Sequence, residues 1–427
     1  MLQTQNARIT ALDTLRGCAV LGILLMNIHG FGAPPPAYLR PDAAAIAAGG
    51  ADLYLWYAEM LLFEGTMRGL FTLLFGAGVL LFIARRTQQF GAQQVASLHY
   101  RRAAALIGFG LLNAYVLVWS GDILFLYGIA ACVLYPLRDC TQRQLLKLAI
   151  PLLCLQPLIG TVGFLGYLQA RADSAPLLAM EAAGATLSAA QRAELADYRA
   201  LLADVEPTES MTRETVAAMR ASYLSAVRYN APIAWSNQTV FLPTQALWEA
   251  LGMMLLGMLL LRSGALDGRW STRRYLLLLL SGYGIGLAVN LAEIGWVRDG
   301  GFATERILAI WYVTYDFGRI PMTLGHLALI MLAVRATRAG ALQRALNAVG
   351  RMALSNYLAQ SALCLLLFTG AGFALFGQLD RHELYYVVFA IWILQLGLSS
   401  GWLRHHAQGP AEWLWRAATE RKKGVGL

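Results

Sequence analysis

Several polar residues whose types and spacing could do chemistry lie inside the first long apolar stretch of the chain. Asp13, Arg16 and Asn27 occur among hydrophobic residues that continue to His29. On a helix with about 100° per residue, Asn27 lies within about 20° of Arg16 and Asp13 within about 60°, so the three form one stripe. This stripe could line a buried ligand track. The spacing of Asp13 and Arg16 favours equally a structural i, i+3 ion pair between them. Gly17 would let another helix or a ligand approach closely.

Two histidines are candidates for a general base, because imidazole can accept and return a proton near neutral pH. His29 faces away from the stripe and lies near the outer end of its segment, where a solvated interfacial histidine is the favoured interpretation. His326 is expected about 10 Å below the surface, where it could act as a base or bond a neighbouring helix. With Asn27, these histidines are the predicted catalytic residues.

Other polar residues are predicted to bind substrate. Glu64 and Arg68 are spaced for an i, i+4 salt bridge or for binding a polar acceptor, and Gly65 between them should interrupt the helix. Asn113 lies deep in a later segment and needs a hydrogen-bonding partner. Asp122 follows a Ser-Gly turn, where capping the next helix is favoured over substrate binding.

The second half of the chain adds one basic residue and two amides to this set. Arg351, Asn356 and Gln360 follow one another at the start of a late segment, and the two amides share a helix face at a depth that suits the cytoplasmic half of a cavity. Asn290 and Glu293 stand three residues apart elsewhere. There is no phosphate-binding loop, dinucleotide fingerprint, zinc-protease motif or convincing nucleophile elbow. We therefore expect direct transfer aided by a base, without a metal.

Composition places the chain in a membrane. It has 427 residues, of which 58% are hydrophobic and 14% charged, whereas soluble domains carry about 25% charged residues. The net charge of +9 does not indicate nucleic-acid binding, because the basic residues form short clusters between apolar segments. The five cysteines show no CxxC spacing, so neither a disulfide framework nor a zinc site is predicted.

Apolar segments of about 20 residues predict an all-α, polytopic membrane bundle of about ten transmembrane helices. The predicted spans are residues 15–31, 66–84, 102–119, 123–137, 146–168, 244–261, 275–292, 320–334, 353–375 and 384–403. This count puts the arginine-rich loops and both termini on one side, which is cytoplasmic by the positive-inside rule. The basic residues concerned are Arg85, Arg86, Arg101, Arg102, Arg138, Arg143, Lys147, Arg262, Arg269, Arg273, Arg274, Arg335, Arg338, Arg344, Arg351, Arg404, Arg416, Arg421, Lys422 and Lys423. The expected location is a bacterial-type inner (plasma) membrane.

The predicted organisation has three parts. Residues 1–171 form a membrane half with five spans and a short interfacial or re-entrant helix at 53–63. Residues 172–238 form an extracytoplasmic helical insertion, with helices at 189–202 and 212–229. Residues 239–427 form the second membrane half, with five spans and a cytoplasmic tail.

The opening pattern from Arg8-Ile9 through Leu12-Asp13 and Arg16-Gly17 to Asn27 resembles the YeiB-like family, known as domain of unknown function 418. The resemblance extends to Glu64-Gly65, Ser120-Gly121-Asp122, residues 350–358 and residues 409–416. Asn113 departs from the family, which often has histidine there, and His326 matches no family motif. The opening motif is also similar to transmembrane acyltransferases such as heparan-alpha-glucosaminide N-acetyltransferase.

This resemblance implies an integral membrane acyltransferase that moves an acyl group from cytosolic acyl-CoA to an extracytoplasmic sugar, lipid or small molecule. Acyl-CoA would be a co-substrate, and the expected partners are membrane lipids and the acceptor, without nucleic acid. Arginines suit the phosphates of CoA. The alternatives are a transporter or permease for a small polar solute, and a membrane scaffold that binds a partner. The oligomeric state stays open between monomer and homodimer.

Overall fold

The computed structural model describes residues 2–41, 50–202, 206–337 and 340–420, with side chains described from Thr10 onward. Arg338, Arg421, Lys422 and Lys423 of the predicted basic face lie outside the described residues. Within these ranges the chain is helical and contains no β-strand, which confirms the all-α class.

The first half of the chain, up to the end of the insertion, contains ten described α-helices. They are α1 (Leu2–Gly32), α2 (Pro36–Leu39), α3 (Ala51–Ala58), α4 (Thr66–Phe90), α5 (Ala92–Tyr115), α6 (Leu124–Leu134), α7 (Gln142–Ala182), α8 (Ala189–Leu202), α9 (Glu209–Ala221) and α10 (Tyr223–Ser236).

The second half contains eight more among the described residues. They are α11 (Leu247–Ser263), α12 (Thr272–Asp299), α13 (Thr304–Ala309), α14 (Tyr315–Ala336), α15 (Ala341–Arg351), α16 (Ala353–Phe368), α17 (Arg381–His405) and α18 (Pro410–Thr419). Three π-helical segments join consecutive helices, at Glu59–Phe63, Asn237–Ala246 and Ile310–Thr314.

Seven described helical segments are long and apolar enough to cross a membrane, so the chain is a polytopic membrane protein. They are Thr10–Gly32, Ala51–Phe90, Gln142–Ala182, Tyr223–Ser263, Thr272–Asp299, Thr304–Ala336 and Arg381–His405, beside the shorter apolar helices Leu124–Leu134 and Ala353–Phe368. Every predicted span overlaps a helix, but the third, fourth and ninth extend past the helix ends at Tyr115, Leu134 and Phe368. The count of ten stays a prediction.

Helix α1 lies at the centre of the bundle and packs against α4, α15, α16 and α17. A Cβ at Gly17 would overlap the carbonyl oxygen of Leu346, and one at Gly350 would overlap that of Asp13. These two glycines therefore bring the backbones of α1 and α15 into contact, as is common where membrane helices pack through small residues. The predicted close approach at Gly17 is confirmed, with another helix as the neighbour.

The arginine-rich loops meet at one end of the bundle, which we call the arginine end. There Arg86 pairs with Glu420, the Arg102 guanidinium lies 3.9 Å from the Trp415 ring centroid, and Arg351 donates to the carbonyl of Ala407. Helix α1 runs from this end to the opposite one, which we call the insertion end.

The segment predicted as an insertion packs on the insertion end. Asn230 donates to the carbonyl of Ala114 at 3.0 Å, and Gly370 donates to that of Met219 at 2.9 Å. The helix predicted at 189–202 is confirmed as α8. The helix predicted at 212–229 is wrong as a single element, because Ser222 is extended and its side chain caps α10 by accepting from the Ser225 amide.

The predicted short apolar helix at 53–63 corresponds to α3 and the π-helical segment after it. The chain then turns at Glu64 and Gly65 before α4 begins at Thr66. Gly65 has φ +68°, a left-handed conformation that favours glycine, so the predicted helix interruption is confirmed.

Candidate functional site

The arginine end contains a half-open cavity of about 280 Å³. Arg16, Arg102 and Arg351 line it together with His99, and Phe71 and Phe75 contribute to its apolar walls. It follows α4 from Phe82 to Phe71, a distance of about 16 Å at 1.5 Å per residue. A narrow apolar cavity among three guanidinium groups is suited to an apolar chain that carries anionic groups at one end.

A hydrogen-bonded pair and the C-terminal helix complete this cavity. Tyr127 lines it, and its hydroxyl lies 2.5 Å from Thr72 Oγ1. Trp415 and Glu412 of α18 form one wall. Glu412 accepts from the amides of Leu354 and Ser355, which begin α16, so the wall is attached to a helix N-terminus. Burial raises the pKa of the Glu412 carboxyl above its usual range, against these hydrogen bonds.

The predicted polar stripe on α1 is divided in the structure. Arg16 lines the arginine-end cavity and its guanidinium lies 3.1 Å from the carboxylate of Asp13, so the predicted ion pair is present. Neither Asp13 nor Asn27 lines this cavity or the cavity at the insertion end. A single ligand track along the stripe is therefore wrong, because α15 packs against the Asp13 backbone.

At the insertion end, four side chains form what we call the His29 cluster: His29, Glu59, Arg381 and Tyr385. His29 Nε2 lies 3.1 Å from Glu59 Oε1 and 3.2 Å from Arg381 Nη1. Glu59 also pairs with Arg381 and accepts from the Tyr385 hydroxyl at 2.6 Å. His29 is 1% exposed, so the favoured interpretation of a solvated histidine is wrong.

The position of His29 Nε2 between a donor and an acceptor suits proton transfer. A neutral nitrogen there can accept from Arg381, and a protonated one can donate to Glu59. His29 and Arg381 both line a half-open cavity of about 610 Å³, whose wall also includes Arg40, Asp52 and Thr212. The cluster therefore combines a base with a polar cavity large enough for a small molecule.

A second group of charges, buried or partly buried, lies next to the His29 cluster, and we call it the ionic network. It consists of Glu64, Arg68, Glu249, Glu293, Tyr315, Asp316 and Arg319. Arg68 pairs with Glu249 at 2.9 Å and Arg319 with Glu293 at 2.6 Å. The Tyr315 hydroxyl donates to Glu64 at 2.7 Å and lies 3.2 Å from Arg68 Nη2. The predicted Glu64–Arg68 salt bridge is wrong, because each residue bonds to another helix.

All three π-helical segments lead into the ionic network or the His29 cluster. The first begins at Glu59 and ends just before Glu64, the second ends three residues before Glu249, and the third ends just before Tyr315. Such segments occur frequently at functional sites, because the wider turn frees backbone groups and redirects side chains.

The remaining predicted site residues have structural partners. His326 Nδ1 lies 2.8 Å from the Tyr283 hydroxyl and Nε2 2.8 Å from the carbonyl of Leu62, so both ring nitrogens are occupied by neighbouring helices. The Asn113 amide donates to Asp122 Oδ1 at 2.8 Å, and Asp122 Oδ2 accepts from the Phe125 amide at 2.8 Å. Asp122 stands one residue before the N-cap of α6, Ile123, and bonds an amide of its first turn, as a capping side chain does. Asp122 is also the partner that Asn113 needs.

The two amides predicted in a cavity instead join helices. Asn356 bonds to Val349 and Ser399, and Gln360 bonds to Val20 and Gln395. Neither lines the arginine-end cavity. Their predicted place in a cavity is wrong, because α16 turns this face toward α1 and α17.

Comparison with known proteins places this architecture in a family. The family described as Protein of unknown function (DUF418) matches residues 260–422. The Uncharacterized protein YeiB of Escherichia coli K12 is 31% identical, with 98% of each chain covered. The chain belongs to the YeiB-like family.

Two further relatives extend this match to other bacteria. The Uncharacterized protein YxaH of Bacillus subtilis 168 is 27% identical over 97% of this chain and 94% of its own. An uncharacterized 39.9 kDa protein from the amylase 3' region of Bacillus acidopullulyticus is 27% identical over 98% of this chain and 95% of its own. No solved structure is significantly similar to the chain.

Sequence reasoning missed most partners of these clusters. Glu59, Arg381, Tyr315, Asp316 and Arg319 were not singled out, although each is an ionisable residue in or beside an apolar segment. That signal applies to all five. Tyr315 and Arg319 contact each other at i, i+4 within α14. The ion-pair partners of Glu59, Arg381 and Arg319 lie on other helices, which no i, i+3 or i, i+4 pattern could reveal.

Proposed function

We propose that this YeiB-like protein is an integral membrane acyltransferase of the bacterial inner (plasma) membrane, with its arginine end and both termini in the cytoplasm. Acyl-CoA would bind at the arginine end, and the acceptor at the insertion end. The observation that carries the proposal is the arginine-end cavity, in which Arg16, Arg102 and Arg351 accompany a narrow apolar interior. Guanidinium groups bind phosphates well, and the apolar walls suit the acyl chain.

The His29 cluster supports the second half of the proposal. As the acceptor hydroxyl or amine adds to the thioester carbonyl, its proton would pass to His29, and the C–S bond would then break to release the thiolate. Glu59 stands 3.1 Å from the His29 ring and would stabilise the imidazolium. Arg40, Arg381 and Thr212 in the cavity wall offer donors to a polar acceptor.

The two cavities are separated, so the thioester has to move toward His29. Gly22 of α1 packs against Met67 of α4, and His29 contacts Glu59. Because α1 and α4 run antiparallel, these two contacts put Phe71 about 16 Å from His29, measured along the axis of α1. We propose that the helix interruption at Glu64–Gly65 and the π-helical segments open to admit the acyl arm.

Binding of acyl-CoA to the purified protein in detergent tests the donor site. We expect wild-type protein to bind, and Arg16→Ala and Arg351→Ala each to weaken the affinity roughly tenfold through loss of a charged hydrogen bond. The matched control is Arg273→Ala, an exposed arginine in the first turn of α12 outside the cavity. Absence of binding, or an Arg16→Ala variant that binds like wild type, would refute the proposal.

A pair of histidine variants tests the base. His29→Gln should abolish acyl transfer but leave acyl-CoA binding intact, because His29 lies at the opposite end from the donor cavity. His326→Gln should retain transfer, since two helices already hold both of its ring nitrogens. If the two variants behave alike, His29 is not the base.

A transporter for a small polar solute is the second candidate. It is favoured by two half-open cavities at opposite ends, with interrupted helices between them, a feature of many transporters. A thermal-shift comparison separates the two, because a bound ligand raises apparent stability. Stabilisation by CoA thioesters supports the transferase, and stabilisation only by free solutes supports the transporter.

A further inference from the structure

One arginine of the arginine-end cavity differs from the other two in its bonding. Arg16 lies 3.1 Å from the carboxylate of Asp13, and Arg351 donates to the carbonyl of Ala407 at 2.9 Å. The Arg102 guanidinium has neither a salt bridge nor a hydrogen-bond acceptor among the described residues. A guanidinium has five N–H groups and accepts no hydrogen bond. Of the three, Arg102 therefore keeps all its N–H groups for a ligand.

The two acids in this part of the protein bond to other groups. Glu420 lies within electrostatic range of Arg102 but pairs with Arg86. Glu412 lines the same cavity, and its two oxygens accept from the first amides of α16 and from the Ser355 hydroxyl. Arg102 is thus a half-buried cation without a described counter-ion in direct contact. Such a charge is costly until an anion binds to it.

Two aromatic rings hold the Arg102 guanidinium in place. Its Cζ atom lies 4.5 Å from the ring centroid of Phe82 and 3.9 Å from that of Trp415. All three side chains line the arginine-end cavity. Rings attract a guanidinium through its faces, whereas its N–H groups point outward in its plane. The two rings therefore restrict the orientation of Arg102 and leave its N–H groups available.

The C-terminal helix α18 supplies one of these rings. Trp415 contacts Arg102 twice, because its indole Nε1 also donates to the backbone carbonyl of Arg102 at 2.9 Å. Glu412, three residues earlier in α18, bonds to the start of α16. Helix α18 thus joins α5 to α16 beside the cavity. Trp415 is a positioning residue, since it acts on a ligand through the Arg102 side chain.

We infer that Arg102 is the principal phosphate-binding residue of the arginine-end cavity and that Trp415 positions it. A guanidinium with available N–H groups forms two parallel hydrogen bonds to phosphate oxygens. A side chain that two rings already hold loses little freedom when the ligand binds. Phe82 marks the end of the cavity next to the basic loops and Phe71 the other end. The phosphate therefore binds near Phe82, and the rest of the ligand extends toward Phe71.

The identity of the ligand rests on the proposed function. Acyl-CoA carries its phosphates at the end away from the thioester. The headgroup of an anionic phospholipid such as phosphatidic acid has the same chemistry and would reach Arg102 from the membrane. A single narrow cavity of about 280 Å³ suits the one thin arm of CoA better than the two acyl chains of a phospholipid. We therefore assign the phosphate to CoA.

Calorimetric titration of the purified full-length protein with CoA and with pantetheine tests the site. The two probes share the pantetheine arm, but only CoA has phosphates. We expect Arg102→Gln to weaken CoA binding roughly thirtyfold through loss of a bidentate charged contact, and to leave pantetheine binding unchanged. Arg351→Gln should weaken CoA binding less. The matched control is Arg101→Gln, which removes the same charge one residue away and outside the cavity.

The outcomes of this titration are distinct. Equal loss of CoA and pantetheine binding in Arg102→Gln would mean that Arg102 only maintains the cavity, which would overturn the inference. CoA binding in Arg102→Gln that matches Arg101→Gln, or a larger loss in Arg351→Gln, would overturn it as well.

Variants of Trp415 test the positioning role. Trp415→Phe keeps a ring over the guanidinium and should bind CoA within about threefold of wild type, whereas Trp415→Leu should bind it roughly tenfold more weakly. Trp413→Leu on the same helix, where the side chain is 60% exposed, should bind like wild type. If Trp415→Phe and Trp415→Leu bind CoA alike, Trp415 does not position Arg102.

Titration with phosphatidic acid in mixed micelles distinguishes this inference from the proposed function. If phosphatidic acid binds in a way that depends on Arg102 and CoA does not bind, the phosphate site stands and the acyl-CoA assignment fails. If CoA binding depends on Arg16 and Arg351 but not on Arg102, the proposed function stands and this inference fails. If neither probe binds more weakly to Arg102→Gln than to Arg101→Gln, Arg102 is not a phosphate site.

Discussion

Two buried polar networks in this bundle are built in opposite ways. The amide network of α16 and α17, made of Asn356, Gln360, Gln395 and Ser399, closes on itself: Gln360 donates to Gln395 at 3.0 Å and Gln395 donates to the Asn356 carbonyl at 2.8 Å. Among the described residues, the ionic network leaves Glu64 Oε2, Asp316 Oδ2 and Arg319 Nε without hydrogen-bond partners. Closed neutral networks join helices, whereas an incomplete charged network is expensive to bury.

The same contrast appears in backbone geometry. The amide network lies on α-helices without π-helical interruption, α16 and α17. The ionic network is approached by three π-helical segments and by the turn at Gly65. Interrupted helices and incompletely bonded charges therefore occur at one location in the bundle.

The largest expected effect comes from removing a cation of the ionic network. Arg319→Met leaves the buried Glu293 without the cation that pairs with it, and we expect a loss of about 3–5 kcal/mol in the free energy of unfolding. Titration of the micellar protein with a denaturing detergent measures it. Arg298→Met, whose side chain is 61% exposed, is the control. If Arg319→Met and Arg298→Met are equally stable, the charges of the ionic network carry no special energetic cost, and the contrast with the amide network fails.

Asp122 offers an intermediate case, because this half-buried acid in the loop between α5 and α6 accepts from the side-chain amide of Asn113. Burial raises the pKa of Asp122 from 3.8 to about 7. As pH rises, the folded protein therefore loses this proton at a higher pH than the unfolded chain does. The free energy of unfolding is then highest below about pH 4 and falls between about pH 4 and 7. We expect Asp122→Asn to remove about 1–2 kcal/mol of this pH dependence. This is less than the whole pKa difference would give, because water screens a half-buried side chain.

Stability measured across this pH range checks the Asp122 prediction. Asp139→Asn provides the control, because the Asp139 side chain is 82% exposed. A pH profile for Asp122→Asn that parallels wild type would show that the carboxyl is ionised throughout the range.

The amide network should respond more weakly. Gln395→Leu removes a partner of Gln360 and Asn356, and we expect a loss of about 1 kcal/mol. The double variant with Gln360→Leu should recover part of this loss, because no amide is then left unmatched. A double variant less stable than the sum of the singles would show that the amides do more than join helices.

The smallest effect is expected at the surface of the insertion. Arg213→Ala breaks an i, i+4 pair with Glu209 whose side chains are 67% and 85% exposed. Such pairs contribute roughly 0.5 kcal/mol or less. A larger change in the same detergent titration would mean that the insertion contributes to the stability of the whole bundle. The stability losses expected for the network variants would then have to be revised.

The sequence by itself determined the features that depend on neighbouring residues. Apolar length and the scarcity of charge indicated membrane helices, because a backbone in lipid has to satisfy its own hydrogen bonds. Gly65 indicated the interruption before α4, Asp122 the cap of α6, and the spacing of Asp13 and Arg16 their ion pair. Each of these follows from steric and hydrogen-bonding preferences within a few residues.

Only the tertiary structure decided which polar residues meet. His29 reaches Glu59 across 30 residues of chain and Arg381 across 352, and the same packing holds His326 between two helices and turns Gln360 away from a cavity. Helical periodicity gives the face on which a side chain lies, but not the helix that this face contacts. That choice depends on how all the helices fill space together, so a list of polar residues in apolar segments becomes a site only when the bundle is assembled.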